Sequence, residues 1–149
     1  MIKLYLFYFL YGLYIFYITL FYWGFSAGPA NIWPYITLLS STILFTVASV
    51  LSLFYPKPAA VIGLVSLVGT SIFSIHLMGD ISWSYKIISS IALLMFVVYL
   101  AGLFYSVTTL INYDKVKKTN QLKRPTKLIL ASVPISLFLF FVINILIRL

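Results

Sequence analysis

His76 and Asp80 stand four residues apart, and they are the single histidine and one of the two acids in the chain. That spacing puts both side chains on one face of a helix. An imidazole beside a carboxylate can relay a proton or help hold a metal ion. One His and one Asp fall short of a metal site, because zinc takes three or four ligands. An ionisable pair inside a bilayer is by default a functional site. His76, however, lies about four residues, or roughly 6 Å, from the end of its apolar run at 1.5 Å per residue. Trp83, Tyr85 and Lys86 follow closely and suit the same interface. The pair therefore reads first as a hydrated contact at the outer interface, and second as a proton-handling or metal-assisting site.

Little else can do acid–base work. The second acid, Asp114, falls in a basic segment on the opposite side of the predicted membrane. There is no carboxylate pair, glycine-rich phosphate loop or zinc spacing. The chain has no cysteine, so disulfides and thiolate ligands are excluded. No charged residue sits mid-run, where coupled carriers usually keep one. No cofactor is expected, and an enzyme is the least supported class.

Hydroxyls and small residues are the next recurring set. Thr37, Ser41, Ala48 and Ser52 share one helical face, as do Ala59, Gly63, Ser66, Thr70 and Ser74, and then Gly102, Ser106 and Thr109. Small residues let membrane helices approach, and hydroxyls can bond across the gap. A packing seam is the first expectation, and a hydroxyl-lined path for water, an ion or a polar solute the alternative.

Twelve of the first 25 residues are aromatic, with tyrosines at 5, 8, 11, 14 and 17. A three-residue step falls about 60° short of a full turn, so these tyrosines wind around the helix. Anchoring and helix packing fit that geometry. A quinone-like or other flat apolar ligand is the alternative, although the tyrosines form no single stripe for it. Tyr14 and Tyr17, nearer the midplane, are expected to need hydroxyl partners on another helix.

Six of the ten basic residues lie close together: Lys115, Lys117, Lys118, Lys123, Arg124 and Lys127. They suit a cytoplasmic loop touching anionic lipid, or an acidic partner. Nucleic acid is not expected, since no folded module or aromatic platform accompanies the charge.

The elements that position these residues follow from composition. The chain has 149 residues, 63% hydrophobic and 8% charged. Soluble domains are about 45–50% apolar and about 25% charged, so the surroundings must be partly lipid. Five charge-poor runs approach the 20 or so residues that span a bilayer: about 4–25, 35–55, 59–78, 87–111 and 128–147. They predict an all-α integral membrane protein, a polytopic bundle of five transmembrane helices in one domain. A β-barrel would alternate apolar and polar residues, and these runs do not.

Pro56-Lys57-Pro58 predicts a very short turn between antiparallel neighbours. Pro134 frees the carbonyl of Leu130 and predicts a kink, with Ser132 or Ser136 placed to satisfy that carbonyl in part. Asn144 is near enough to the chain end to be hydrated.

With the basic loop 112–127 inside, eight basic residues face the cytoplasm and two, Lys86 and Arg148, lie outside. The N-terminus is then cytoplasmic and the C-terminus outside. The first run exceeds the 7–15 residues usual for a signal core, so it is expected to be retained.

These features favour a non-catalytic subunit, assembly or accessory factor that acts through helix contacts with another membrane protein or with copies of itself. A small oligomeric transporter or channel using the Ser/Thr/Gly seam is the second reading. A membrane enzyme on an apolar substrate is the third. A bacterial cytoplasmic membrane is the expected location.

Overall fold

Hydrocarbon offers the backbone no hydrogen-bond partners, so an apolar chain must satisfy its own N–H and C=O groups, which a helix does within one segment. The computed structural model describes residues 2–25, 32–80, 86–113 and 122–148, with side chains over 2–20, 36–71, 93–113, 122–140 and 142–143. Among the described residues there are five helices and no strand: α1 (Ile2–Phe25), α2 (Ile32–Phe54), α3 (Pro56–Asp80), α4 (Lys86–Ile111) and α5 (Arg124–Arg148). Three of them, over Ile2–Leu20, Ile36–Phe54 and Leu93–Ile111, are long and apolar enough to cross a membrane.

Proline marks the helix starts. Pro34, Pro56, Pro58 and Pro125 all fall in first turns, where the N–H would have no intrahelical partner anyway. The turn between α2 and α3 is shorter than the sequence suggests, because Pro56 and Lys57 already belong to α3. Only Tyr55 separates the two helices. Its N–H still bonds Leu51, and its carbonyl accepts from Ala59.

Helices α1 to α4 form a closed ring in which each touches its chain neighbours and α4 returns to α1; α5 lies outside, against α2. The contacts give their directions. Along α1, Phe7 meets Tyr105 and Tyr11 meets Tyr99, so α1 and α4 are antiparallel. Tyr8 touches both Phe45 and Gly63, which sit ten residues before and eight residues after Tyr55. The helices therefore alternate up and down.

Buried positions on each helix follow a spacing of three and four, the period that keeps one face toward a partner. On α1 they include Leu4, Tyr8, Tyr11, Ile15 and Ile18; on α2 they include Leu38, Phe45 and Ser52. On α3 they include Ala59, Gly63, Ser66 and Thr70, and on α4 Tyr99, Gly102 and Ser106. The tyrosine winding is visible in exposure. Tyr5, Tyr8 and Tyr11 are buried, Tyr14 is half-buried, and Tyr17 is 64% exposed on the outer surface.

Candidate functional site

The aromatic helix and the small-residue faces are two halves of one interface. α1 supplies the bulk, and α2, α3 and α4 supply the room. Tyr8 has no exposed surface and fills the centre of the four-helix ring with Tyr11, Phe45 and Leu67. Gly63 makes space for it, since a Cβ there would land within the Tyr8 ring. Gly102 lies against Leu67 and Phe7, and Gly12 against Phe45.

The polar atoms at this centre form a directed chain. Ser106 Oγ donates to the Gly102 carbonyl at 2.5 Å, and Tyr8 Oη lies 2.6 Å from Ser106 Oγ. A serine hydroxyl has one proton. With that proton on Gly102, Tyr8 must be the donor to Ser106.

The remaining hydroxyls along the seam mostly turn back on their own helices rather than crossing the gap. Ser52 donates to Ser49, Ser66 to Ile62, and Thr70 to Ser66 and Leu67. A helical serine or threonine reaches the carbonyl three or four residues back with little side-chain motion, so this bond competes with any longer one. No buried side-chain polar atom among the described residues lacks a partner.

Of the sequence-derived seam, Ser41, Ser52, Gly63, Ser66, Thr70, Gly102 and Ser106 are buried, and Thr37 is half-buried. The side chain of Ser74 lies outside the described residues. So do those of His76 and Asp80, although both positions belong to the last turns of α3. No group of three or more His, Cys, Asp or Glu able to hold a metal occurs among the described residues.

A second feature is α5. The freed Leu130 carbonyl is taken by Tyr5 of α1, whose hydroxyl donates to it at 2.7 Å. Neither Ser132 nor Ser136 reaches it; they donate to Ile129 and Val133. The reason is register. A helical serine serves the carbonyl three or four residues back, and the positions that would serve Leu130 are Val133 and Pro134. Below this contact, α1, α2 and α5 enclose a cleft of about 80 Å³ with mainly apolar walls, including Phe9, Gly12, Phe16, Ser49, Pro134 and Phe138.

The third feature is a cationic end. Lys3 lies 5.6 Å from the Tyr105 ring centre, Lys57 5.7 Å from that of Tyr113, and Lys127 6.0 Å from that of Phe54. These distances suit cation–π contact. Alternating helices thus bring Lys3, Lys57, Lys123, Arg124 and Lys127 to one end of the bundle. Lys115, Lys117 and Lys118 lie outside the described residues. The sequence did not reveal that α1 fits into the small-residue faces or that Tyr5 meets α5. The only hint was the run of tyrosines on one helix beside small-residue faces on the next three. No protein-family model, curated protein or solved structure matches the chain.

Proposed function

We propose that this protein crosses the membrane five times, with its basic end and N-terminus in the cytoplasm and its C-terminus outside. It acts as a non-catalytic subunit, assembly or accessory factor of a bacterial cytoplasmic membrane complex. The observation that carries the reading is the filled centre. Tyr8, Tyr11, Phe45 and Leu67 occupy the middle of the ring, each at most 1% exposed. The seam hydroxyls that would line a path donate instead to backbone carbonyls. A bundle packed in this way has no polar route through the described residues of one copy and acts by what its outer faces touch. Those faces are broad and apolar, with Leu93, Val97 and Phe104 on α4 and Leu139 and Phe140 on α5 well exposed.

Orientation rests on the excess of lysine and arginine expected in cytoplasmic segments. Eight of ten basic residues fall on the proposed inner side. Two measurements test the reading. A reporter enzyme that works only outside the cytoplasm, fused after Leu149, is expected to be active; an inactive, well-expressed fusion refutes the topology. A membrane protein is expected to co-purify in mild detergent at a fixed ratio. Solute flux into liposomes holding this protein alone would overturn the subunit reading in favour of transport.

A further inference from the structure

We propose that the cleft between α1, α2 and α5 holds one acyl chain of an anionic phospholipid, with its phosphate at the cationic start of α5. The inference goes beyond the helix-contact function and stands or falls without it.

The nature of the occupant follows from where the cleft's protons point. Its walls include four hydroxyl side chains: Tyr8, Thr42, Thr46 and Ser49. All four are committed. Tyr8 pairs with Ser106, Thr42 donates to Leu38, Thr46 to Thr42, and Ser49 to Thr46. No donor is left to orient a polar solute, so the surface offered is hydrocarbon and aromatic. The volume of about 80 Å³ is well below the roughly 300–1,000 Å³ of pockets for compact ligands. It suits a length of flexible chain. The cleft also opens sideways, since its walls include Leu13 and Leu137, both more than a third exposed.

The charge comes from the face of α5 that lines the cleft. Lys127 precedes Pro134 by seven residues, close to two full turns, and Phe138 follows four further on. The Lys127 N–H bonds the Lys123 carbonyl, which extends the helical path back to Lys123. Lys123, Lys127, Pro134 and Phe138 therefore fall along one line, with cations above and cleft wall below. The rise from Pro134 to Lys127 is about 10 Å at 1.5 Å per residue, so a phosphate beside Lys127 can send its chain down to the cleft. Arg124 is exposed beside them. The acid nearest in sequence to this cluster is Asp114, against six cations from Lys115 to Lys127. Each basic residue near the membrane surface attracts anionic lipid, and the aligned cleft turns that general attraction into a seat.

The test uses the full chain carrying Leu137→Trp in vesicles whose acyl chains are brominated. Quenching of the emission added over the parent protein is compared between phosphatidylglycerol and phosphatidylcholine of equal bromine content. The anionic lipid is expected to quench at least about twofold more strongly. Adding Lys123→Gln, Arg124→Gln and Lys127→Gln is expected to abolish that excess. Leu139→Trp, on the exposed side of α5, should be quenched equally by both lipids. Phe138→Trp gives a second probe of the cleft should Leu137→Trp disturb folding. Equal quenching by the two lipids at the cleft positions would overturn the proposal and leave ordinary surrounding lipid. Absence of quenching by either would overturn it by showing a protein segment in the cleft.

Discussion

Removing the Tyr8–Ser106 hydrogen bond from its two ends is expected to have unequal effects. In Tyr8→Phe, Ser106 keeps its own acceptor, the Gly102 carbonyl. The loss is one hydrogen bond, about 0.5–1.5 kcal/mol, toward the lower end in a membrane bundle, where such bonds average about 0.6 kcal/mol. In Ser106→Ala, the Tyr8 hydroxyl stays fully buried without its acceptor. An unsatisfied buried donor costs about 1–3 kcal/mol. Ser106→Ala should therefore be the more damaging change by about 1 kcal/mol. Adding Tyr8→Phe to it should cost almost nothing, because the orphaned hydroxyl leaves with it. Reversible unfolding in mixed micelles, followed by far-UV circular dichroism, gives all four corners of the cycle. Equal single losses, or losses that add to within about 0.3 kcal/mol, would refute the direction assigned to this hydrogen-bond chain.

The other expectations use the same assay except where stated. Gly63→Ala should cost about 1–3 kcal/mol by overpacking, because its Cβ meets the Tyr8 ring. Gly69→Ala, with nothing within 4 Å, should be neutral or gain up to about 1 kcal/mol in helix propensity. Tyr5→Phe should loosen α5 and cost about 1–3 kcal/mol, because it leaves the Leu130 carbonyl without its donor. It should cost less in a Pro134→Ala background, where a restored N–H can serve Leu130. Phe104→Ala, at a 65% exposed position, should leave stability within about 0.5 kcal/mol. Reduced recovery of a co-purifying partner from that variant would place the contact on α4, and unchanged recovery would place it elsewhere.

Helix positions were largely legible in the sequence, and for a physical reason. Hydrocarbon forces long uncharged runs into helices, so run length and charge already locate the elements. The three- and four-residue spacing of Ser66, Thr70, Gly102 and Ser106 likewise marked faces, because any helix packed on one side repeats that way. Which face meets which was not legible. Tyr8 and Gly63 are complementary in shape, yet nothing in either helix alone records that one fills the other. Hydroxyl direction was misread for a related reason. Ser52 and Ser66 are suited by type to bond across a gap, but a carbonyl of their own helix is always nearer. Tyr14 and Tyr17 sit where midplane depth called for partners. Winding instead carries Tyr17 out of the interior, while Tyr8 and Tyr5 bond across to α4 and α5.

Pro134 shows how a local defect becomes an assembly device. In water, a carbonyl left without its helical partner is hydrated at little cost. In hydrocarbon it is not, and each unsatisfied backbone group costs several kcal/mol. On the proposed five-crossing topology, which places α5 in hydrocarbon, the Leu130 carbonyl must find a donor outside its own helix, given that the serines of α5 are out of register. Tyr5 is the donor it finds. The same proline makes α5 choosy about where it docks, since an α5 slid one turn along α1 would lose that partner. The exposed outer face of α5, with Ile129, Leu139 and Phe140, carries no comparable demand and can accept lipid or another helix in many registers. Among the described contacts, then, two tyrosines that each supply a proton help to fix the register: Tyr8 to a serine on α4, and Tyr5 to the carbonyl exposed by a proline on α5. The aliphatic surface around them provides area without choosing a register.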